Sequence, residues 1–149
     1  MTALVEMRDL TIRAPGRLLV EGISFDILPH RVTALVGPSG AGKSLTARAT
    51  MCVLDVDPGL VRGSLRFPAV DPQVDWFDGV RGGGMRAQKR LLARSRHLRG
   101  AYFTYSPQAA SSALNPGRTI GRQVALAIGR RETPPDSLSA EIRRILAQV

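Results

Sequence analysis

Eight residues carry the clearest chemistry in this chain: Gly37-Pro38-Ser39-Gly40-Ala41-Gly42-Lys43-Ser44. They fit the pattern G-x-x-x-x-G-K-[ST], the loop that wraps a polyphosphate. Wrapping an anion with backbone N–H groups requires that side chains be absent where the chain curls, and Gly37, Gly40 and Gly42 meet that need. A helix opening near Lys43 would turn the positive end of its dipole toward the same anion. Lys43 is then the point charge for the β- and γ-phosphates, and the Ser44 hydroxyl is a ligand for Mg²⁺. The candidate binding set runs without a break through Gly37, Pro38, Ser39, Gly40, Ala41, Gly42, Lys43, Ser44 and Leu45.

Such a loop works only between a strand and a helix. Val32-Thr33-Ala34-Leu35-Val36 is a short apolar run of the kind that forms a buried strand. Leu45 to Leu54 holds no Gly or Pro and reads as a helix. Upstream, residues 4–12 predict a first strand, Ala14-Pro15-Gly16-Arg17 a turn, and Gly22–Ile27 a second strand with Ile23, Phe25 and Ile27 on one face. Antiparallel opening strands followed by a phosphate-binding strand suggest a mixed sheet. Downstream, Asp55–Gly59 breaks the chain, Arg62–Phe67 returns as a strand, and 68–84 reads as loop. Met85–Leu98 predicts a basic amphipathic helix with Met85, Leu91, Leu92 and Leu98 as its apolar positions. Ala101–Tyr105 is a strand candidate, and Thr119–Ile128 has a helical pattern. A last helix keeps Leu138, Ile142, Ile145 and Val149 on one stripe, with Asp136, Ser137 or Ser139 as its cap.

With 149 residues and 44% hydrophobic content, the chain can bury a core. Its apolar runs fall far short of a membrane span, and the N-terminus lacks a signal-peptide plan, so a cytosolic chain is expected. Cys52 is the sole cysteine, which excludes an intrachain disulfide and a Cys-based zinc site and suits a core position. The net charge of +9 is unevenly spread: residues 79–131 hold eleven basic residues and no acidic one. That block is either a solvated face, a membrane-side or partner contact, or a nucleic-acid surface. The absence of interleaved aromatic rings argues against the last.

The order of features resembles the ATP-binding subunit of an ABC transporter, in particular the importers of dipeptides, oligopeptides and nickel. Leu35–Ser44 looks like their Walker A strand and loop, and Leu98-Arg99-Gly100 is similar to the segment before their Q-loop strand. Gln108-Ala-Ala-Ser-Ser-Ala-Leu114-Asn115-Pro116, continued by Thr119-Ile120-Gly121-Arg122-Gln123, looks like their Q-loop stretch. The resemblance implies an α/β fold: a P-loop NTPase core, an N-terminal antiparallel β part and the start of a helical subdomain. It implies ATP and Mg²⁺ as cofactors. Gln108 would be a Q-loop residue touching Mg²⁺ and the attacking water, and Ser44 a second Mg²⁺ ligand.

The resemblance also implies transmembrane permease subunits and a second ATP-binding subunit as partners, no nucleic acid, and a cytoplasmic place on the inner face of the membrane. Residues 1–149 would be a partial nucleotide-binding domain. The signature loop, Walker B aspartate, catalytic glutamate and switch histidine find no counterpart here, so binding without hydrolysis is expected of these residues alone. Without the Walker B strand beside it, Val32–Val36 loses a neighbour, and a marginally folded or aggregation-prone chain is expected. Departures from the family include Ala14 where an adenine-stacking aromatic is usual, His30-Arg31 for Gly-Glu, and Pro107, Ala109 and Ala110 around Gln108. A non-catalytic or regulatory phosphate-loop module, and a small soluble phosphate-loop kinase, are the alternatives.

Overall fold

The computed structural model describes residues 2–106, 114–129 and 135–148. The chain forms two compact units, residues 1–101 and 102–149.

The first unit is built on three antiparallel strands: β1 (Val5–Ala14), β2 (Arg17–Ile27) and β3 (Gly59–Arg66), in the order β2-β1-β3. The β1–β2 hairpin turns at Pro15-Gly16, where Gly16 takes φ 64. Both strands run longer than their sequence patterns predict. In β2 the alternation holds, with Ile23, Phe25 and Ile27 half-buried between exposed neighbours. In β1 it breaks: Met7 and Leu10 are both fully buried although three residues apart. An irregularity between them, with Asp9 at φ 53, resets the pleat so that Leu10 and Ile12 return to the core. Asp9 is held there by its N–H donating to Ser24 Oγ (2.8 Å) and its carboxylate accepting from Arg62 Nε (2.7 Å) and Nη2 (2.9 Å). Gly63 of β3 faces this bulge; a Cβ there would meet Arg8 O and Leu10 Cα at 2.9 Å, so only glycine lets the strands close.

Two helices complete this unit: α1 (Lys43–Thr50) and α2 (Gly84–Arg94), the latter followed by a 3₁₀ turn at Arg96–Leu98. Helix α1 ends four residues before the expected Leu54. Cys52 takes φ 59, its N–H donates to Ala49 O (2.9 Å), and Val53 N–H donates to Arg48 O (2.9 Å). This is a Schellman termination with a buried cysteine in the place glycine usually fills. The core packs Met7, Leu10, Ile12, Leu60, Leu65, Phe67, Phe77, Leu91 and Cys52.

Residues 68–83 are loop, as expected, but a pinned one. Asp75 Oδ1 accepts from Leu65 N–H (3.1 Å) and Phe77 N–H (2.9 Å), Arg81 donates to Asp75 Oδ2 (2.6 Å), and Trp76, Phe77 and Val80 are buried. On α2, Leu91 is buried with Ala87 and Gln88, while Met85 and Leu92 stay outside the core. The buried Gln88 amide donates to Val56 O (2.6 Å) and Pro58 O (3.2 Å), tying α2 to the turn that precedes β3.

The expected strand at 101–105 is not formed; those residues are turn and irregular chain, with Phe103 in an isolated bridge. Helix α3 (Ile120–Ile128) is capped by Thr119, whose Oγ1 accepts from Arg122 N–H (3.3 Å), and α4 (Leu138–Leu146) by Ser137, whose Oγ accepts from Ala140 N–H (3.3 Å). The Gln123 side chain folds back to accept from Asn115 N–H (2.8 Å) and to donate to Asn115 O (3.1 Å) and Arg118 O (3.0 Å). The Asn115–Arg118 turn is thereby latched to α3.

The mixed sheet is not observed. Val32–Val36 is irregular chain outside the sheet, with Val32 98% and Val36 85% exposed. A central parallel strand gains its hydrogen bonds and burial from strands on both sides, and none of the described strands lies beside this run.

Candidate phosphate site

The loop from Gly37 to Gly42 is shaped by its glycines: Gly37, Gly40 and Gly42 take φ 156, 81 and 82. Ala41 N–H donates to Pro38 O (3.3 Å), closing a turn inside the loop. Gly42 stands in the left-handed region at the start of α1, with no side-chain cap. Thr46 N–H finds Gly42 O (2.8 Å), which leaves the N–H groups of Lys43, Ser44 and Leu45 as the unpaired donors of the first turn. No carboxylate occupies that turn. An uncapped, acid-free helix start with free donors is what an anion requires.

Lys43 defines the loop's mouth. Its Nζ donates to Gly37 O (2.8 Å) and Pro38 O (2.7 Å), so the ammonium bridges the loop's first two residues. A third ammonium hydrogen remains for an incoming oxygen. Residues 37–41 and Ser44 are exposed, so an anion can reach them.

The loop is seated by a contact the sequence did not announce. A Cβ on Gly42 would meet Leu19 O and Val20 Cγ2 at 2.8 Å, so the helix start rests directly on the backbone of β2. Leu19 and Val20 are therefore positioning residues for the loop. The only hint of them in the sequence is the glycine that makes room.

The structure thus brings Gly37, Pro38, Gly42 and Lys43 together, with Ser44 and Leu45 following on α1. Gln108 lies outside the described residues. Among the described residues no cluster of His, Cys, Asp or Glu is arranged to hold a metal. Ser44 is the hydroxyl at the helix start that fits Mg²⁺ bound through a phosphate, because such Mg²⁺ takes few protein ligands and keeps its waters. Cys52 plays no part in the site: burial pushes its thiol up to about 12, against lesser downward pulls from Ser95, Arg94 and Arg99.

A glycine-shaped loop ahead of a helix, closed by one lysine, defines a phosphate-loop protein. Residues 20–149 match the family model described as "ABC transporter", and the chain belongs to that family. Its α/β fold is accordingly that of a P-loop NTPase core with an N-terminal antiparallel part. The chain is similar to the zinc import ATP-binding protein ZnuC of Chelativorans sp. (strain BNC1), 38% identical over 80 residues, 49% of this chain and 27% of that protein. It is also similar to the glutathione import ATP-binding protein GsiA of Shigella flexneri serotype 5b (strain 8401), 31% identical over 134 residues, 87% of this chain and 20% of that protein. The chain spans about a fifth to a quarter of the length of these relatives. Among the described residues no helix is long and apolar enough to cross a membrane.

Proposed function

We propose that this chain binds ATP with Mg²⁺ at the Gly37–Leu45 loop, as part of the nucleotide-binding domain of an ABC importer. The observation that carries this is the Lys43 ammonium held across Gly37 and Pro38 at the mouth of an uncapped helix start. The free N–H groups of Lys43, Ser44 and Leu45 orient the phosphates, and Lys43 turns its remaining proton to them. Bound Mg²⁺ would neutralise phosphate charge, with Ser44 and Gln108 as its protein ligands. What these residues supply is binding and orientation.

Transmembrane permease subunits and a second ATP-binding subunit are the proposed partners, at the cytoplasmic face of a membrane. A peptide cargo is favoured over nickel by the long match to glutathione import proteins, glutathione being a short peptide. A non-catalytic phosphate-loop module is the second reading, favoured by the exposed Val32–Val36 run.

Calorimetric titration with Mg-ATP tests the proposal, with Lys43→Ala as control. Losing a charge-assisted hydrogen bond costs about 2 kcal/mol, so the variant should bind roughly thirtyfold more weakly. Equal affinity in the two proteins, or no binding by the wild type, would refute it. Binding without participation in transport would favour the second reading.

A further inference from the structure

We infer that the outer face of α2 is a docking surface for an anionic lipid bilayer. Three cations on this helix, Arg86, Lys89 and Arg90, are exposed, and so is Arg96 in the turn that follows. None of the four side chains has a hydrogen-bond or ion-pair partner among the described residues. Elsewhere exposed arginines do find carboxylates, as Arg8 finds Asp26 and Arg62 finds Asp9. The difference lies in sequence: no acidic residue occurs between 79 and 131. Asp57 lies beside Gly84 at the helix's N-terminal end, where it faces the positive end of the dipole.

The spacing makes one surface of these charges. Arg86, Lys89 and Arg90 stand at i, i+3 and i+4 and form a ridge. Beside it, at i and i+7, Met85 and Leu92 are 37% and 39% exposed, on the flank of the helix between the ridge and the buried Gln88. The helix therefore has a core stripe, a cationic ridge opposite it, and a partly exposed apolar pair on the flank between them. Charge complementarity fixes the partner as polyanionic. The partly exposed Met85 and Leu92 beside Lys89 favour a bilayer over a nucleic acid, since side chains of this kind enter the headgroup–acyl boundary while cations hold the phosphates.

Co-sedimentation of the 149-residue chain with vesicles tests this. The vesicles are phosphatidylcholine alone, or phosphatidylcholine with a quarter phosphatidylglycerol. Each cation near an anionic surface is worth roughly fivefold in binding, so Arg86→Gln/Lys89→Gln/Arg90→Gln should lose on the order of a hundredfold on the phosphatidylglycerol vesicles. Arg13→Gln/Arg17→Gln/Arg31→Gln removes equal charge from exposed positions elsewhere and should lose much less. Met85→Ser/Leu92→Ser should cost about tenfold with charge unchanged. Far-UV circular dichroism confirms that each variant is folded. Equal losses from the two charge-removing triples would overturn the inference, as would no effect of the apolar pair or no binding to phosphatidylglycerol vesicles. Tighter binding to a DNA duplex at the same salt, abolished by the α2 triple, would overturn it in favour of a nucleic acid.

Discussion

Gly42 and Gly40 both have positive φ, 82 and 81, yet their surroundings differ. An added Cβ on Gly40 meets nothing within 4 Å, whereas on Gly42 it lands 2.8 Å from Leu19 O and Val20 Cγ2. Gly40→Ala should therefore cost only the left-handed backbone penalty, about 1–2 kcal/mol. Gly42→Ala bears the same penalty plus overpacking of about 1–3 kcal/mol, because a strand carbonyl cannot rotate away as a side chain can. The sum, about 2–5 kcal/mol, is a large share of the roughly 5–15 kcal/mol that holds a domain of this size together. The chain has one tryptophan, Trp76, and it is buried, so urea unfolding followed by its fluorescence reads the first unit directly. The Gly42 variant should unfold at clearly lower urea than the Gly40 variant, with unchanged slope. Coincident midpoints would refute the seating of the loop on β2.

Two further outcomes follow from burial. The Cys52 thiol, buried and raised from 9.0 to about 12, should resist a thiol reagent at neutral pH until the chain unfolds. Below pH 9 both folded and unfolded states keep this proton, so it contributes nothing to pH dependence there. Between 9 and 12 the folded state holds the proton that the unfolded state loses, so stability should fall by about 1.4 kcal/mol per pH unit. The difference between wild type and Cys52→Ala across pH 9–10.5 isolates this slope, and parallel curves would contradict it. At the other extreme, Val32→Lys and Val36→Lys should each change stability by no more than about 0.5 kcal/mol while raising solubility. Unfolding free energies that drop by several kcal/mol would mean that the run is buried after all.

The local signals were legible where one residue type decides the outcome. The hairpin followed from the Ala14–Arg17 turn and the alternation of β2, and the two later helices from the pattern of Thr119–Ile128 and the apolar stripe from Leu138, although which of Asp136, Ser137 and Ser139 caps the last one came only from the structure. The phosphate loop was legible from its glycines and Lys43. What the sequence hid depends on neighbours. The bulge at Asp9 breaks the period of two through contacts with Ser24 and Arg62, one on each flanking strand. The end of α1 rests on a left-handed cysteine, a conformation that composition does not reveal. Val32–Val36 has the apolarity of a buried strand, but apolarity supplies no hydrogen-bond partners. Ala101–Tyr105 shows the same limit, since β-favouring aromatics do not by themselves recruit a ladder.

The strand order β2-β1-β3 sets a sequence of events for a chain emerging from the ribosome. The first two strands join through a tight turn and can zip as soon as they are exposed. The third reaches its place beside β1 only after everything from His30 to Pro58 has been synthesised. The glycine loop and its helix are thus threaded between an early hairpin and a late arrival. Their seat on β2 exists early, but the side of β1 away from that hairpin stays open until the third strand docks. A pause in translation within that interval would leave an unsatisfied sheet edge facing solvent, the state in which a nascent chain most readily finds the wrong partner.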